Sequence, residues 1–322
     1  MNILILAVGT RCQLVNYFKK TENGFNKVVS TDCSKYAPAL YVSDKHYIVP
    51  KMNEAAYLPT IKNICKEENI HVILPLQENG LEFIAEHKAE FENMGILVVI
   101  SDITSVKLCR DKHLLYKYLT DKGIPCVDTY DYKTELEKIK KLILPVWVKE
   151  KNGAGSIGNL KINNWPMLAA YAENMDEELI VQPFYDTTEF GVDAYVDFAS
   201  GDLIAIFAKE KLRMRAGETE KSKSIKDKKI FELVKSVVRE MNLKGPIDID
   251  IFQFDGEYHI LEINPRFGGG YPHAYECGVN FIKFISTNAK GKANVPLTND
   301  YKENQVLFKF TDVMLKNDED LF

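Results

Sequence analysis

The residues best placed to do chemistry lie near the end of the chain, where 261–270 read Leu-Glu-Ile-Asn-Pro-Arg-Phe-Gly-Gly-Gly. In a strand, residues two apart project to the same face. Glu262 and Asn264 therefore set a carboxylate and an amide oxygen side by side, with the cation Arg266 just beyond. Hard oxygen donors of this kind suit Mg²⁺, which pairs one or two carboxylates with nucleotide phosphates; a Glu-x-Asn at a strand end is by itself also compatible with plain surface polarity. Upstream, Ile247–Phe254 alternates strictly and puts Asp248 and Asp250 on one face. Asp255-Gly256 is a hairpin signal, and Glu257–Asn264 returns as the second strand. Register then decides the chemistry. A two-residue turn pairs Asp250 with Leu261 and sends Glu262 to the opposite face, whereas an odd loop, Asp255-Gly256-Glu257 with a glycine bulge, pairs Asp250 with Glu262. A shared metal site predicts the odd loop.

A second candidate is Gly153-Ala154-Gly155-Ser156-Ile157-Gly158, preceded by Lys149. Backbone amides free of side-chain obstruction can wrap phosphate oxygens, and a lysine can reach the same phosphates as a point charge. No Gly-Lys-Ser/Thr ends the loop and a hairpin follows it, so it is not a P-loop; a flexible hairpin tip is the plainer reading of the loop taken alone. Its weight comes from the order of the set. Lys112 lies in a helix, then come Lys149 and the loop, Gln182-Pro183-Phe184, and Glu189. Arg213 and Arg215 precede Gly217, and Asp250, Glu262, Asn264 and Arg266 follow.

The elements that must hold these residues fall into two classes. Strands at 3–8, 28–31, 72–76 and 96–100 alternate with helices at 12–20, 57–68 and 80–92, the pattern of a parallel α/β sheet. Ligands in such sheets bind at the carboxyl ends of strands, where Gly9-Thr10-Arg11 and Gln77-Glu78-Asn79 sit as substrate-site candidates. A helix over 107–122 follows, then strands at 145–149, 178–181, 190–197 and 203–209, an α+β arrangement of hairpins and helices in blocks. The boundary is placed near 100–107. Beyond about Phe281 only 305–312 reads as a strand.

This ordered set resembles the ATP-grasp superfamily, and most closely the synthetase unit of carbamoyl-phosphate synthase large subunits and their stand-alone relatives, from about Asp111 to Gly270. The resemblance implies a Rossmann-like pre-ATP-grasp domain (1–105), a two-lobed ATP-grasp domain (106–285, with a lid subdomain at about 120–185), and an extension (286–322) packing on that core. It implies ATP bound by Lys112, Lys149, Gly153, Ala154, Gly155, Ser156, Gly158, Gln182, Pro183, Phe184 and Glu189. Two Mg²⁺ or Mn²⁺ ions would sit on Asp250, Glu262 and Asn264, and Arg266, Arg215 and Arg213 would meet the transferred phosphate or acyl phosphate. The implied activity is an ATP-dependent carboxylate–amine ligase acting through an acyl phosphate on a small carboxylate or amino acid. The segment 74–79 is similar to amino-acid ligases of the superfamily, including the pyrrolysine-pathway ligase. The chain holds one such unit, with no internal repeat and no glutaminase-type nucleophile elbow. Two alternatives stand beside the ligase: a bicarbonate- or carboxylate-phosphorylating subunit that needs a partner, and a non-catalytic nucleotide-binding module. The substrate pocket is placed between the first domain, Arg213–Thr219 and the turn 268–273, with Tyr271 and His273 as lining residues.

Composition sets the outer limits. The chain has 322 residues, 46% hydrophobic and 27% charged, with net charge −5, ordinary for a globular enzyme. There is no basic excess to suggest a nucleic-acid partner, and the run 221–229 reads as a solvated loop. Six scattered cysteines form no C-x-x-C pair, as expected for reduced thiols of a cytoplasmic protein. Met1–Val8 lacks the basic start of a secretion signal, and no apolar run reaches membrane-spanning length. Partners are therefore small-molecule substrates, with a homodimer or a partner subunit left open.

Overall fold

The computed structural model describes every residue except Ala154, Ser156, Ile157, Ala216, Thr298, Asn299 and Phe322, and gives Asn79 by its backbone alone. The first hundred residues form a parallel sheet of β1 (Asn2–Leu6), β2 (Lys27–Asp32), β3 (Lys45–Ile48), β4 (Ile70–Pro75) and β5 (Leu97–Val98), in the order β3-β2-β1-β4-β5. Val, Ile and Leu dominate β1 and β4 because both faces are covered. β3 carries only half-buried or exposed residues, so it lacks that apolar run and is silent in the sequence.

A four-stranded antiparallel sheet follows: β6 (Tyr130–Asp131), β7 (Val146–Glu150), β8 (Leu160–Ile162) and β9 (Leu179–Pro183), in the order β6-β9-β7-β8. It has its own small core around Ile139, Val146, Val148 and Val181. The third sheet has six strands: β10 (Glu189–Val196), β11 (Leu203–Arg215), β12 (Glu218–Ile225), β13 (Gly245–Phe254), β14 (Glu257–Asn264) and β15 (Val306–Phe308), in the order β14-β13-β10-β11-β12-β15. One apolar cluster runs from Ile3 and Ile5 of the parallel sheet to Tyr195, Ile249 and Phe281, so the first and third sheets share a core. The four-stranded sheet joins the third along a seam, where Cys126 bridges to Ile260, Val127 donates to the Ile260 carbonyl at 2.9 Å and Ile260 donates to Pro125 at 3.0 Å. Among the described residues, no helix is long and apolar enough to cross a membrane.

Three sequence expectations are corrected. The helix read over 107–122 is two, Ile103–Arg110 and Lys112–Asp121. Asp111 is extended between them, and its carboxylate accepts from the backbone N–H of His113 and Leu114 at 3.0 and 2.9 Å, an N-cap that starts the second helix. The run 221–229 is no loop: it ends β12 and opens the helix Lys228–Met241. Its buried positions include Ser222 and Ser224, hydroxyls that donate or accept internally at 2.7 Å, so the hydrophobic alternation of a strand is absent from the sequence. The β13–β14 turn is the two-residue one, with Phe254 opposite Glu257.

The third sheet also carries buried ionic groups. Lys209 on β11 and Asp193 on β10 are nearly inaccessible and form a direct ion pair. Burial pushes the Asp193 carboxyl up, against the pull of Lys209. Removing one member of such a pair strands a buried charge, which costs about 3–5 kcal/mol. Lys209→Met is therefore expected to destabilise the chain by about that amount in urea denaturation, and Lys209→Met with Asp193→Leu to recover most of it. A single variant as stable as the double would show that the pair is not what holds these strands.

Candidate active site

β13 and β14 build the centre of the site. From the turn, register runs evenly to Ile251 opposite Ile260 and then shifts, so that Asp250 lies opposite Glu262 and Asp248 opposite Asn264. Leu261 is the extra residue, a β-bulge. The pairing that a shared site needs is thus present, but the single-residue offset comes from inside β14 and not from an odd turn. On the next strand, Gly191 lies opposite Asp250 and Asp193 opposite Asp248, which continues one carboxylate-rich face across β10.

That face needs cations. Lys211 donates to Asp250 at 2.5 Å and to Glu189 at 2.6 Å. Its stem shares space with that of Lys209 above Gly191: a Cβ there would come within 3.1 Å of both Cε atoms. Arg266 donates to Asp248 at 2.9 Å and forms a short ion pair with Glu78 of the first domain. With its amide nitrogen turned toward them, Asn264 reaches Glu262 and Glu78, each at 3.2 Å. Opposite stand Lys112 and Lys149, both nearly buried. Lys112 donates to the Gly153 carbonyl at 2.7 Å. The helix break at Asp111 puts Lys112 at the first helical position.

The charges shift one another. Burial pushes the Asp250 carboxyl up to about 7, with Asp248, Glu189 and Glu262 adding to the rise and Lys211 opposing it. Burial also pushes Glu262 up, but Lys112, Lys149 and Arg266 outweigh it and hold the carboxyl below its ordinary value. Burial would lower Lys211, yet Asp250 and Glu189 raise it, so it stays charged. Lys149 is lowered by burial, with Glu262 pulling the other way.

These groups line one cavity of about 620 Å³, within the roughly 300–1,000 Å³ usual for ligand pockets. Of the residues singled out for ATP, Lys112, Lys149, Gly153, Gly155, Gln182, Pro183, Phe184 and Glu189 line it. Asp250, Glu262, Asn264 and Arg266 line the same cavity. Gly158 lies in the loop but off the cavity wall, at φ +70°; Ala154 and Ser156 lie outside the described residues, as does the Asn79 side chain. Gln182 is buried and donates to Thr129 Oγ1 at 2.7 Å. Phe184 carries Lys161 3.6 Å from its ring centroid and has Trp147 at 6.0 Å, tilted by 39°, so two aromatic rings line this part of the cavity.

Arg213 and Arg215 are not brought to the cavity. Register shifts flank Arg213, with Leu212 the extra residue on β11, so Met214 lines the cavity beside Lys211. Both arginines are largely exposed and pair with Glu220, at 2.9 and 3.4 Å. Tyr271 and His273 are also corrected: both are buried, Tyr271 accepting from the Phe281 N–H at 2.9 Å and His273 Nδ1 lying 2.7 Å from Ser222 Oγ. Arg11, Gln77 and Glu78 do line the cavity. Sequence reasoning missed Lys211 and Trp147 as cavity residues, while the segment 213–219 it placed at the pocket does supply Glu218 and Thr219. The period-2 pair Lys209/Lys211 in an apolar strand was the available signal for Lys211.

The chain fits a metal-binding nucleotide site by its donor chemistry. Two carboxylates and an amide converge from adjacent strands, and a lysine already neutralises one of them. Mg²⁺ is commonly held by one or two carboxylates together with substrate phosphates, a donor set these residues can supply.

Comparison with known proteins agrees with this geometry. Residues 3–99 match the model of the PylC-like N-terminal domain and residues 109–270 that of the ATP-grasp domain. A carbamoyl phosphate synthase large chain from Clostridium botulinum is 26% identical over 281 residues, covering 78% of this chain and 24% of the relative; the chain spans about a quarter of the length of the curated relatives it matches. The biotin carboxylase domain of Hydrogenobacter thermophilus 2-oxoglutarate carboxylase, solved with MgADP, ADP and bicarbonate, superposes with a TM-score of 0.76 at 17% identity, covering 95% of this chain and 73% of that one. N5-carboxyaminoimidazole synthetase from Staphylococcus aureus, solved with ADP, gives 0.73 at 17% identity, covering 92% and 78%. The fold, the ordered site residues and the match over 109–270 together make this chain a member of the ATP-grasp family.

Proposed function

We propose that the chain is an ADP-forming carboxylate–amine ligase that activates a small carboxylate or amino acid as an acyl phosphate. The observation that carries this is the convergence, within one cavity, of the register-paired Asp250 and Glu262 with the buried Lys112 and Lys149 and with Gly153 and Gly155. A carboxylate does not react with an amine at neutral pH, because an oxide is a poor leaving group. In the proposed reaction a carboxylate oxygen attacks the γ-phosphorus of ATP and ADP leaves. The amine then attacks the acyl carbon, inorganic phosphate leaves with that oxygen, and the amine nitrogen gives up a proton.

The chain's own work is placement and charge. Lys112 and Lys149 lie where phosphate oxygens would be neutralised, and Phe184, Trp147 and Gln182 would position the base. Asp250, Glu262 and Asn264 would hold Mg²⁺, up to two ions, which when bound supplies charge neutralisation between phosphate oxygens. Arg266, fixed by Asp248 and Glu78, is oriented for charge on the transferring group. Loop 153–158 would cover the phosphates and keep water from the intermediate. Arg213 and Arg215 would take part only after moving from Glu220.

The similarity to carbamoyl phosphate synthase large chains supports a second reading, a bicarbonate-phosphorylating subunit that passes its product to a partner. Phosphate release from ATP and Mg²⁺, measured across amino acids, small carboxylates and bicarbonate, alone and in pairs, separates the two. The ligase reading expects release that requires a carboxylate and rises with an added amine; release with bicarbonate alone, indifferent to amines, would replace it with the second. Glu262→Ala should abolish turnover with the thermal melt intact, and turnover near the unmodified rate would remove the metal role. Arg266→Gln should lower the rate by about 10²–10³-fold, the usual loss for one transition-state donor. A few-fold loss would make Arg266 a brace for Asp248 and Glu78.

A further inference from the structure

The substrate end of the cavity lies where the first domain meets β12 and the glycine turn after β14. Its charged groups differ in how firmly they are paired. Arg266 is held by both Asp248 and Glu78. Glu218 of β12 accepts from Lys309 at 2.5 Å, and Lys309 also donates to the Gly269 carbonyl at 3.3 Å, so the segment after β15 fixes the carboxylate from behind. Arg11, at the first turn of the parallel sheet, has a looser arrangement: its one ion pair among the described residues is Glu218, at 3.5 Å. Gly269 lies beside both, since a Cβ there would come within 3.0 Å of Arg11 Nη1 and of the Glu218 carboxyl carbon. Both side chains line the cavity and are partly accessible, at 26% and 38%.

A guanidinium and a carboxylate therefore face the cavity close together without a tight bond between them. A simple anion could take Arg11 but would set its charge against Glu218, and a simple cation would do the reverse. A ligand with an ammonium and a carboxylate on one carbon satisfies both at once, replacing one long contact with two charge-assisted hydrogen bonds, of which the guanidinium–carboxylate one can be bidentate.

We propose that this end of the cavity selects an α-amino acid as a zwitterion, its carboxylate on Arg11 and its ammonium on Glu218, with Lys309 as the positioning residue that holds Glu218 in place. The proposal rests on the ligase reading for its place in a reaction, but the recognition can be measured without turnover.

The test is calorimetric titration of the full chain, saturated with Mg·ADP, with the proteinogenic L-amino acids. Any that binds is then compared with its des-amino acid and its decarboxylated amine. At least one amino acid is expected to bind, with both analogues weaker by about tenfold or more, the equivalent of one charge-assisted hydrogen bond. Arg11→Gln and Glu218→Gln should each weaken amino-acid binding by a similar factor with Mg·ADP binding retained as proof of fold. Glu218→Gln should also narrow the gap between the amino acid and its des-amino analogue, which a merely structural role would leave unchanged. Lys309→Met should weaken the amino acid more than the des-amino acid. Equal binding of the des-amino acid, or no binding by any amino acid, overturns the proposal. Phosphate release in the same mixtures judges the ligase reading separately: release driven equally by des-amino acids sinks the zwitterion and keeps the ligase, whereas a bound zwitterion without release does the opposite.

Discussion

The structure depends on keeping five carboxylates together on one face of a sheet. Asp193, Asp248, Asp250, Glu189 and Glu262 come from three neighbouring strands, and burial pushes the carboxyls of Asp193, Asp248, Asp250 and Glu262 up. They are made tolerable by Lys209, Lys211 and Arg266, each anchored on an element adjoining the face. Gly191 sits where two of those lysine stems must pass, and no side chain could share that space without moving them. The pattern of apolar residues on the opposite face of β13, Ile247, Ile249 and Ile251, is fully buried in the shared core, so the face cannot turn over to relieve its charge. A ligand that brings cations of its own enters an environment already arranged to receive them.

The site is also divided between domains. Glu78, which opens the helix Glu78–Glu86, and Arg11 follow the carboxyl ends of parallel strands, the position where open α/β sheets present ligands. They meet Arg266, just beyond β14, and Glu218 of β12. The first and third sheets share one apolar cluster, so packing brings these partners together; the Arg11–Glu218 pair, partly exposed at 26% and 38%, contributes little of its own, while the Arg266–Glu78 pair is largely buried.

Much of this was legible in the residues. The alternation of Ile247–Phe254, the Asp-Gly turn and the Glu-Ile-Asn-Pro-Arg run gave the hairpin and its oxygen donors, and the ordered lysines and glycines named residues that line the same cavity. What was not legible was local backbone accommodation. The bulge at Leu261 has no composition signal, because an extra leucine in a strand looks like any other. The same is true at Leu212, where an extra residue takes Arg213 and Arg215 away from the cavity and brings Met214 in. β12 was hidden because its buried side is made of hydroxyls, and the break at Asp111 because an aspartate can either sit on a helix or cap one. Lys211 was overlooked for a related reason: a lysine in a strand next to arginines reads as surface until the acids opposite it are known.

The seam between the four-stranded sheet and β14 has a mechanical meaning. Pro125 and Val127 both bond to Ile260, and the next residue, Leu261, is the one that the β13–β14 register skips. A bulge bends and twists the strand that carries it, so the offset that lets two carboxylates face each other also sets the angle at which β14 reaches the residue bonded to the four-stranded lobe.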